Sequence, residues 1–285
     1  MVGSCTPEDP GTGLPLRSDE TAMSYESLQL DIRDNGVAHL VLNQPALGNP
    51  FNAAFCREIA EAAGALAGRR DVRAVLLRAN GPYFSVGGDI KMFSRTLDTL
   101  PEQIRTWTGG LHLGVARLAR LDAPIVAAIH GTAMGGAVGL AAGCDLVYCG
   151  RSVTLGAAYT TIGYTCDMGA TFTLASRMGL ARARRFLLLG ELLSAEQAER
   201  AGLVDYLVDD AAVVAEAEAA AIRLASGPTR AYGELRRLMT SALGAGFERQ
   251  MEDEVQGLIR AASTADAREG ISAFIERRPA QFRGR

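Results

Sequence analysis

Chemistry on an anion would fall to two glycine-rich segments of this sequence, Phe84-Ser85-Val86-Gly87-Gly88-Asp89 and Gly131-Thr132-Ala133-Met134-Gly135-Gly136. Each follows a short apolar run and precedes a helical pattern. Glycine allows unusual backbone angles and close approach of a ligand to the main chain. A helix N-terminus leaves N–H groups unpaired and carries partial positive charge. Two such junctions facing one oxygen make an anion hole. The same residues also fit two tight turns whose glycines only let a helix pack on a sheet, and the pattern alone does not choose. Other glycine-rich sites fit less well. Neither segment gives a clean G-x-G-x-x-G, and the chain has no G-x-x-x-x-G-K-[ST] and no G-x-S-x-G, which disfavours a dinucleotide site, a P-loop and a serine hydrolase. His39, His112 and His130 are scattered without ligand spacing and no C-x-x-C occurs, so no metal site is expected.

Positioning these segments requires strands ahead of them and helices behind. Leu28–Ile32 alternates as a half-buried strand does, Asn35-Gly36 signals a type I′ hairpin, and Val37–Leu42 is the returning strand. Asn52–Leu66 carries apolar residues at helical spacing, and Arg73–Arg78 reads as a short buried strand ahead of the first glycine segment. Thr106–Leu121 puts Leu111, Val115 and Leu118 on one helical stripe. Pro124–Ile129 is a buried strand ahead of the second glycine segment, and Asp145–Cys149 and Val153–Leu155 are short strands. Beyond them the pattern is almost wholly helical. Ser194 and Gln197 form a capping box, and Pro228 opens a further helix after Gly227. The order predicts an α/β core spanning 24–226 and a helical C-terminal region spanning 227–285.

The chain has 285 residues, 48% of them apolar and 21% charged, with a net charge of −3. That supports a sizeable core and gives no basic run, which argues against nucleic acid as partner. The five cysteines are odd in number and sit partly in apolar segments, as expected for reduced thiols in a cytoplasmic protein. No apolar stretch is long enough to cross a membrane; the longest, around Ala123–Ala142, is broken by His130 and glycines. Residues 1–23, rich in proline and acids, read as a disordered tail ahead of a start at Met23.

Set in order, several segments resemble the crotonase (enoyl-CoA hydratase/isomerase) family. Asn43-Gln44-Pro45 with Asn49 and Asn52 is similar to its N-x-P…N-x-x-N segment, and Phe84–Lys91 (FSVGGDIK) to its F-S-A-G-A-D-[IL]-K segment. His130–Leu140 (HGTAMGGAVGL) resembles N-G-x-A-x-G-G-G-x-E-L, Ala198–Val208 resembles A-x-x-x-G-L-V-x-x-V, and Ala273–Phe282 resembles F-x-E-[KR]-R-x-P-x-F. The resemblance implies a crotonase-like spiral of ββα units with a C-terminal helical extension, assembling as a homotrimer or dimer of trimers. The implied substrate is an acyl-CoA thioester; coenzyme A arrives as part of it, and no separate cofactor is expected. Gly88 and Gly136 become the two backbone donors of an oxyanion hole. The substrate-binding surface includes Asn49, Phe84, Val86, Asp89, Lys91 and Tyr159.

The departures narrow the chemistry. Where family hydratases carry their two glutamates this chain has Gly139 and Tyr159. Glycine moves no protons, and an unperturbed tyrosine, with pKa about 10, is a poor base near neutrality. Asp167, in Thr165-Cys166-Asp167-Met168-Gly169-Ala170-Thr171, resembles the x-x-D-x-G-x-T segment of crotonase-type isomerases, where the aspartate is the base. One carboxylate can take a proton from one carbon and return it to another. Asp167 also precedes a helix and fits a simple N-cap. The expectation is an isomerase shifting a double bond through an enolate. A hydratase or hydrolase with a different acid, or an inactive CoA-binding subunit, are the alternatives. Leu47-Gly48 stand where the family often has a basic residue, and Arg277, Arg278 and Arg283 are further cations that could meet CoA phosphates.

Overall fold

The computed structural model describes residues 22–285. Residues 1–21, most of the expected tail, lie outside the described residues. In chain order the elements are β1 (Ala22–Ser24), β2 (Leu28–Ile32), β3 (Val37–Leu42), α1 (Ala53–Leu66), β4 (Ala74–Ala79), α2 (Ile90–Phe93) and α3 (Leu100–Ala119). Then come β5 (Ile125–Ile129), β6 (Ala133–Met134), α4 (Gly136–Ala142), β7 (Leu146–Gly150), β8 (Thr154–Gly156), α5 (Ala170–Met178) and α6 (Leu180–Leu189). The chain continues through β9 (Leu192–Ser194), α7 (Ala195–Arg200), β10 (Tyr206–Val208), α8 (Val213–Ala225), α9 (Thr229–Ala242), α10 (Phe247–Ala262) and α11 (Ala265–Glu276).

The larger sheet has the order β1-β2-β3-β4-β5-β7-β10. It is antiparallel through β1, β2 and β3, and parallel from β3 to β10. β1 begins before residue 24, so the last two residues of the expected tail belong to the sheet. Both faces of its middle strands are covered, which is why β3, β4 and β5 are mostly apolar, with His39 in β3 and Arg78 in β4 as the exceptions. Leu40, Leu77, Ala127 and Val147 point into the main core with α1 and α3. Their alternates Leu76, Val126 and Ala128 meet α8, whose buried face is Val213, Ala217, Ala220, Ala221 and Ala225. Alanine at those positions lets the helix lie close against the strands.

The second layer explains the spiral. Phe51 bridges Gly88, Ser85 bridges Ala133, and β6 pairs with β8, which pairs with β9. Each turn of the chain therefore lays one strand in the large sheet, one short extended piece in this second stack, and then a helix. That is the expected repeat of ββα units. The hairpin between β2 and β3 differs from the expected type I′. Gly36 has φ +80, and Asn35 is not left-handed. Asn35 instead accepts the Val37 N–H through Oδ1 at 3.0 Å, so one left-handed residue suffices.

The helical end is tied to the core at two places. Arg236 of α9 pairs with Asp145 at 2.8 Å and donates to the carbonyls of Leu118 and Leu121. Arg73, just ahead of β4, donates to Thr229 Oγ1 at 2.7 Å, Gly227 O at 2.6 Å and Phe282 O at 3.4 Å. Asp266 is buried and accepts the N–H groups of Arg283 and Gly284, each at 2.7 Å. The outer faces of α9, α10 and α11 stay apolar and open: Met239, Phe247, Leu258, Phe274 and Ile275 are all exposed.

Candidate active site

The two glycine segments lie clasped side by side. Ser85 donates to Thr132 O at 3.2 Å, and Met134 donates to Ser85 O at 3.0 Å. Gly87, with φ +81, presses on the Met134 carbonyl; a Cβ there would sit 2.6 Å from that oxygen, so only glycine fits. Most amides around them are committed. Phe51 N–H goes to Gly87 O at 2.7 Å, Gly87 N–H to Ser85 Oγ at 3.1 Å, and Gly135 N–H to Gly156 O at 2.8 Å. The N–H groups of Gly88 and Gly136 have no partner among the described residues. Each lies three residues beyond the bridged pair Ser85 and Ala133 (85 to 88, 133 to 136). The two adjacent turns thus withhold one amide apiece, and Gly136 is also the first residue of α4, where unpaired N–H groups belong.

Across from Gly136 stands the loop carrying Asp167. Met168 packs its Cε 2.9 Å from where a Gly136 Cβ would be, and its N–H donates to His112 Nε2 of α3 at 3.2 Å. Asp167 is not a helix cap. The N-cap of α5 is Gly169, and no side chain caps that helix. The carboxyl is half-buried, and burial pushes its pKa above the usual carboxylate range, opposed by His112 and by its own amide. Cys56 of α1 is near enough to feel it: burial first, then the Asp167 charge, push the Cys56 thiol up to about 12.

Gly139 and Tyr159 close the other side. A Cβ on Gly139 would meet the Ala170 Cβ at 2.7 Å and the Tyr159 hydroxyl at 3.8 Å. That hydroxyl is buried without a hydrogen-bond partner. Burial, then Asp167 and Cys166, raise its pKa, so it stays protonated. Beside the loop a largely apolar cavity of about 350 Å³ runs between α3, α4, α5 and α9, with His112, Gly139, Met168 and Phe172 in its wall and Asp145 and Arg236 at its lining. Its volume is that of a small-ligand pocket. Arg236 carried no signal in the sequence; its role depends on Asp145, far away along the chain.

Three of the expected substrate-binding residues have side chains engaged within the protein. Phe84 is wholly buried in the core. Asn49, also buried, spends its side chain on Gln44 N–H and on the carbonyls of Asn80 and Tyr83. Asp89 caps α2, accepting the Met92 N–H at 3.0 Å. Val86 and Lys91 are exposed, and the Tyr159 hydroxyl is buried. Arg278 is occupied by Glu269 and Glu276. No group of His, Cys, Asp and Glu among the described residues could hold a metal.

A family model for enoyl-CoA hydratase/isomerase matches residues 32–285. The chain is 33% identical over 258 residues to the 1,2-epoxyphenylacetyl-CoA isomerase of Escherichia coli, covering 88% of this chain and 97% of that one. It is 30% identical to the trans-2-decenoyl-[acyl-carrier-protein] isomerase of Streptococcus mutans, over 92% of this chain and all of that one (100%). Among solved structures, an enoyl-CoA hydratase of Mycobacterium smegmatis superposes with a TM-score of 0.81 at 29% identity, covering 90% of this chain and 98% of that one.

Proposed function

The chain belongs to the enoyl-CoA hydratase/isomerase family, and from that premise we propose that it is an isomerase, moving a carbon–carbon double bond within an acyl-CoA thioester. The observation that carries this reading is at Gly139. Ala170 blocks the space a side chain would need there, and a protonated tyrosine occupies the other glutamate position. Neither place offers a carboxylate to deliver water, while Asp167 remains on the adjacent loop. Isomerase names among similar proteins agree with it; a hydratase name among them keeps the second reading in view.

In the proposed sequence the thioester oxygen takes the N–H groups of Gly88 and Gly136. Asp167 removes a proton from the carbon next to the unsaturated pair, the electrons shift toward the carbonyl, and the oxygen carries the negative charge. The protonated Asp167, whose carboxyl proton exchanges with solvent while the enolate is held, then delivers a proton to the far carbon, so the product is an isomer and nothing is added. Each backbone donor is worth about 2.7–4 kcal/mol at such a site. The raised Asp167 pKa moves the base toward working pH, where proton transfer is most effective. The cavity between α3, α4, α5 and α9 takes the acyl group. The open apolar faces of α9, α10 and α11 are proposed to bury against other copies in a trimer.

The test is deuterium uptake at the α- and γ-carbons of 3-hexenoyl-CoA in heavy water, followed by NMR. The wild type exchanges and converts the thioester to its 2-enoyl isomer, and Asp167→Asn does neither while remaining folded. A wild type that binds the thioester without exchanging protons overturns the reading in favour of an inactive CoA-binding subunit; water addition without double-bond migration overturns it in favour of a hydratase.

A further inference from the structure

The base loop is held in a conformation it would not choose alone. Met168 has φ +54 and Gly169 φ +73, two left-handed residues in succession. For methionine that conformation is uncommon and persists only where the surroundings over-determine it. The Met168 side chain is almost fully buried, at 3% exposure, with its Cε against Gly136. Its amide is the second anchor, donated to His112 Nε2 at 3.2 Å. An accepting Nε2 presents its lone pair to that amide, which leaves Nδ1 as the ring's N–H donor.

His112 is a rigid post from which to hold that amide. Gly110 and Gly114 press α3 directly onto α1: a Cβ on Gly110 would meet Cys56 O at 2.6 Å, and one on Gly114 would meet Ile59 C at 2.7 Å. At about 100° per residue, His112 lies roughly opposite both glycines around the helix. α3 thus has its backbone locked on α1 and its imidazole turned to the Asp167 loop.

We infer that His112 is a positioning residue for the reaction proposed above: by accepting the Met168 N–H it keeps the left-handed turn in place and so fixes the direction of the Asp167 carboxyl relative to Gly136. The inference rests on that proposed reaction, but the contact itself can be tested without turnover. His112 is exposed at the cavity wall, so its replacement leaves the core intact.

The experiment compares His112→Leu, which has no acceptor, with His112→Gln, whose amide oxygen can reach the same N–H. Two readouts are taken: amide hydrogen exchange across residues 166–170 of the resting enzyme, and kcat and KM for isomerisation of 3-hexenoyl-CoA. In His112→Leu the segment loses protection and kcat falls about 10²-fold, the cost of a base misplaced by an ångström, while KM stays close to wild type. His112→Gln restores both protection and most of kcat. Unchanged protection in His112→Leu overturns the inference. So do a loss confined to KM, and equal losses in the leucine and glutamine variants, which would make the effect one of packing. If the wild type isomerises no enoyl-CoA, the proposed reaction fails and the positioning role with it, and the protection measurement still decides whether His112 holds the turn.

Discussion

Replacing Gly139 by alanine tests why this site lacks a glutamate. Gly139 lies in α4, every residue of which is buried, and its φ is not left-handed, so the backbone does not require glycine. In an open helix the substitution would stabilise by about 0.5–1 kcal/mol. Here the new Cβ would lie 2.7 Å from the Ala170 Cβ, against 3.4 Å for the nearest ordinary contact, a shortfall of 0.7 Å (3.4 minus 2.7). Overpacking a buried position costs about 1–3 kcal/mol. The clash wins, leaving a net loss of about 1–2 kcal/mol, or roughly 2–8 °C in melting temperature for a chain of this size. Ala170→Gly removes the offending carbon and leaves the Ala170 Cα at 3.5 Å, an ordinary contact. The double variant therefore recovers what the single one lost, and a double-mutant cycle yields a favourable coupling of about 1–3 kcal/mol. The four proteins are melted at one protein concentration, and each is assayed for water addition to crotonyl-CoA. Gly139→Glu is less stable still, since it adds a buried carboxylate, and gains no hydration. A Gly139→Ala protein as stable as wild type, or a folded Gly139→Glu protein that hydrates crotonyl-CoA, refutes the argument from lack of room.

Asp167→Asn should lose proton exchange by a factor of about 10²–10⁴ yet melt no lower than wild type at neutral pH. With its native pKa raised, the folded state holds the proton more tightly than the unfolded chain. Stability then falls as pH climbs from the ordinary carboxylate range through the native pKa, and asparagine is spared that loss. Melting curves at acid and neutral pH check the sign, and the wild-type rate should rise over the same interval as the base ionises. Tyr159→Phe removes a buried hydroxyl without a partner, so stability should hold or improve; an exchange rate as low as that of Asp167→Asn would make the phenol part of the proton path. Leu258→Glu places a charge on the open face of α10, and light scattering should show a smaller, still folded species if that face joins copies.

What the sequence disclosed was what repeats locally. The central strands are mostly apolar because both their faces are covered, and Ser194 with Gln197 forms its capping box in full. β6 and β9 escaped notice individually, since elements of two or three residues have no period to detect. At the site, the two uncommitted amides follow from glycine spacing and family resemblance. The inward commitment of Asn49, Phe84 and Asp89 was not legible: Asn49 and Asp89 hydrogen-bond to backbone groups of their own loops, and Phe84 is buried in the core. The His112–Met168 hydrogen bond spans 56 residues and has no local mark at all.

The grip of Arg73 on Gly227, Thr229 and Phe282 bears on when the molecule can be finished. Phe282 stands 209 residues beyond Arg73, so this guanidinium emerges from the ribosome long before its partners exist. The sheet can form with that charge still solvated, but these hydrogen bonds form only once residues 227–282 have been synthesised and have folded back. A nascent chain released early would lack these contacts, which would expose a shortened product to proteases that spare the longer one.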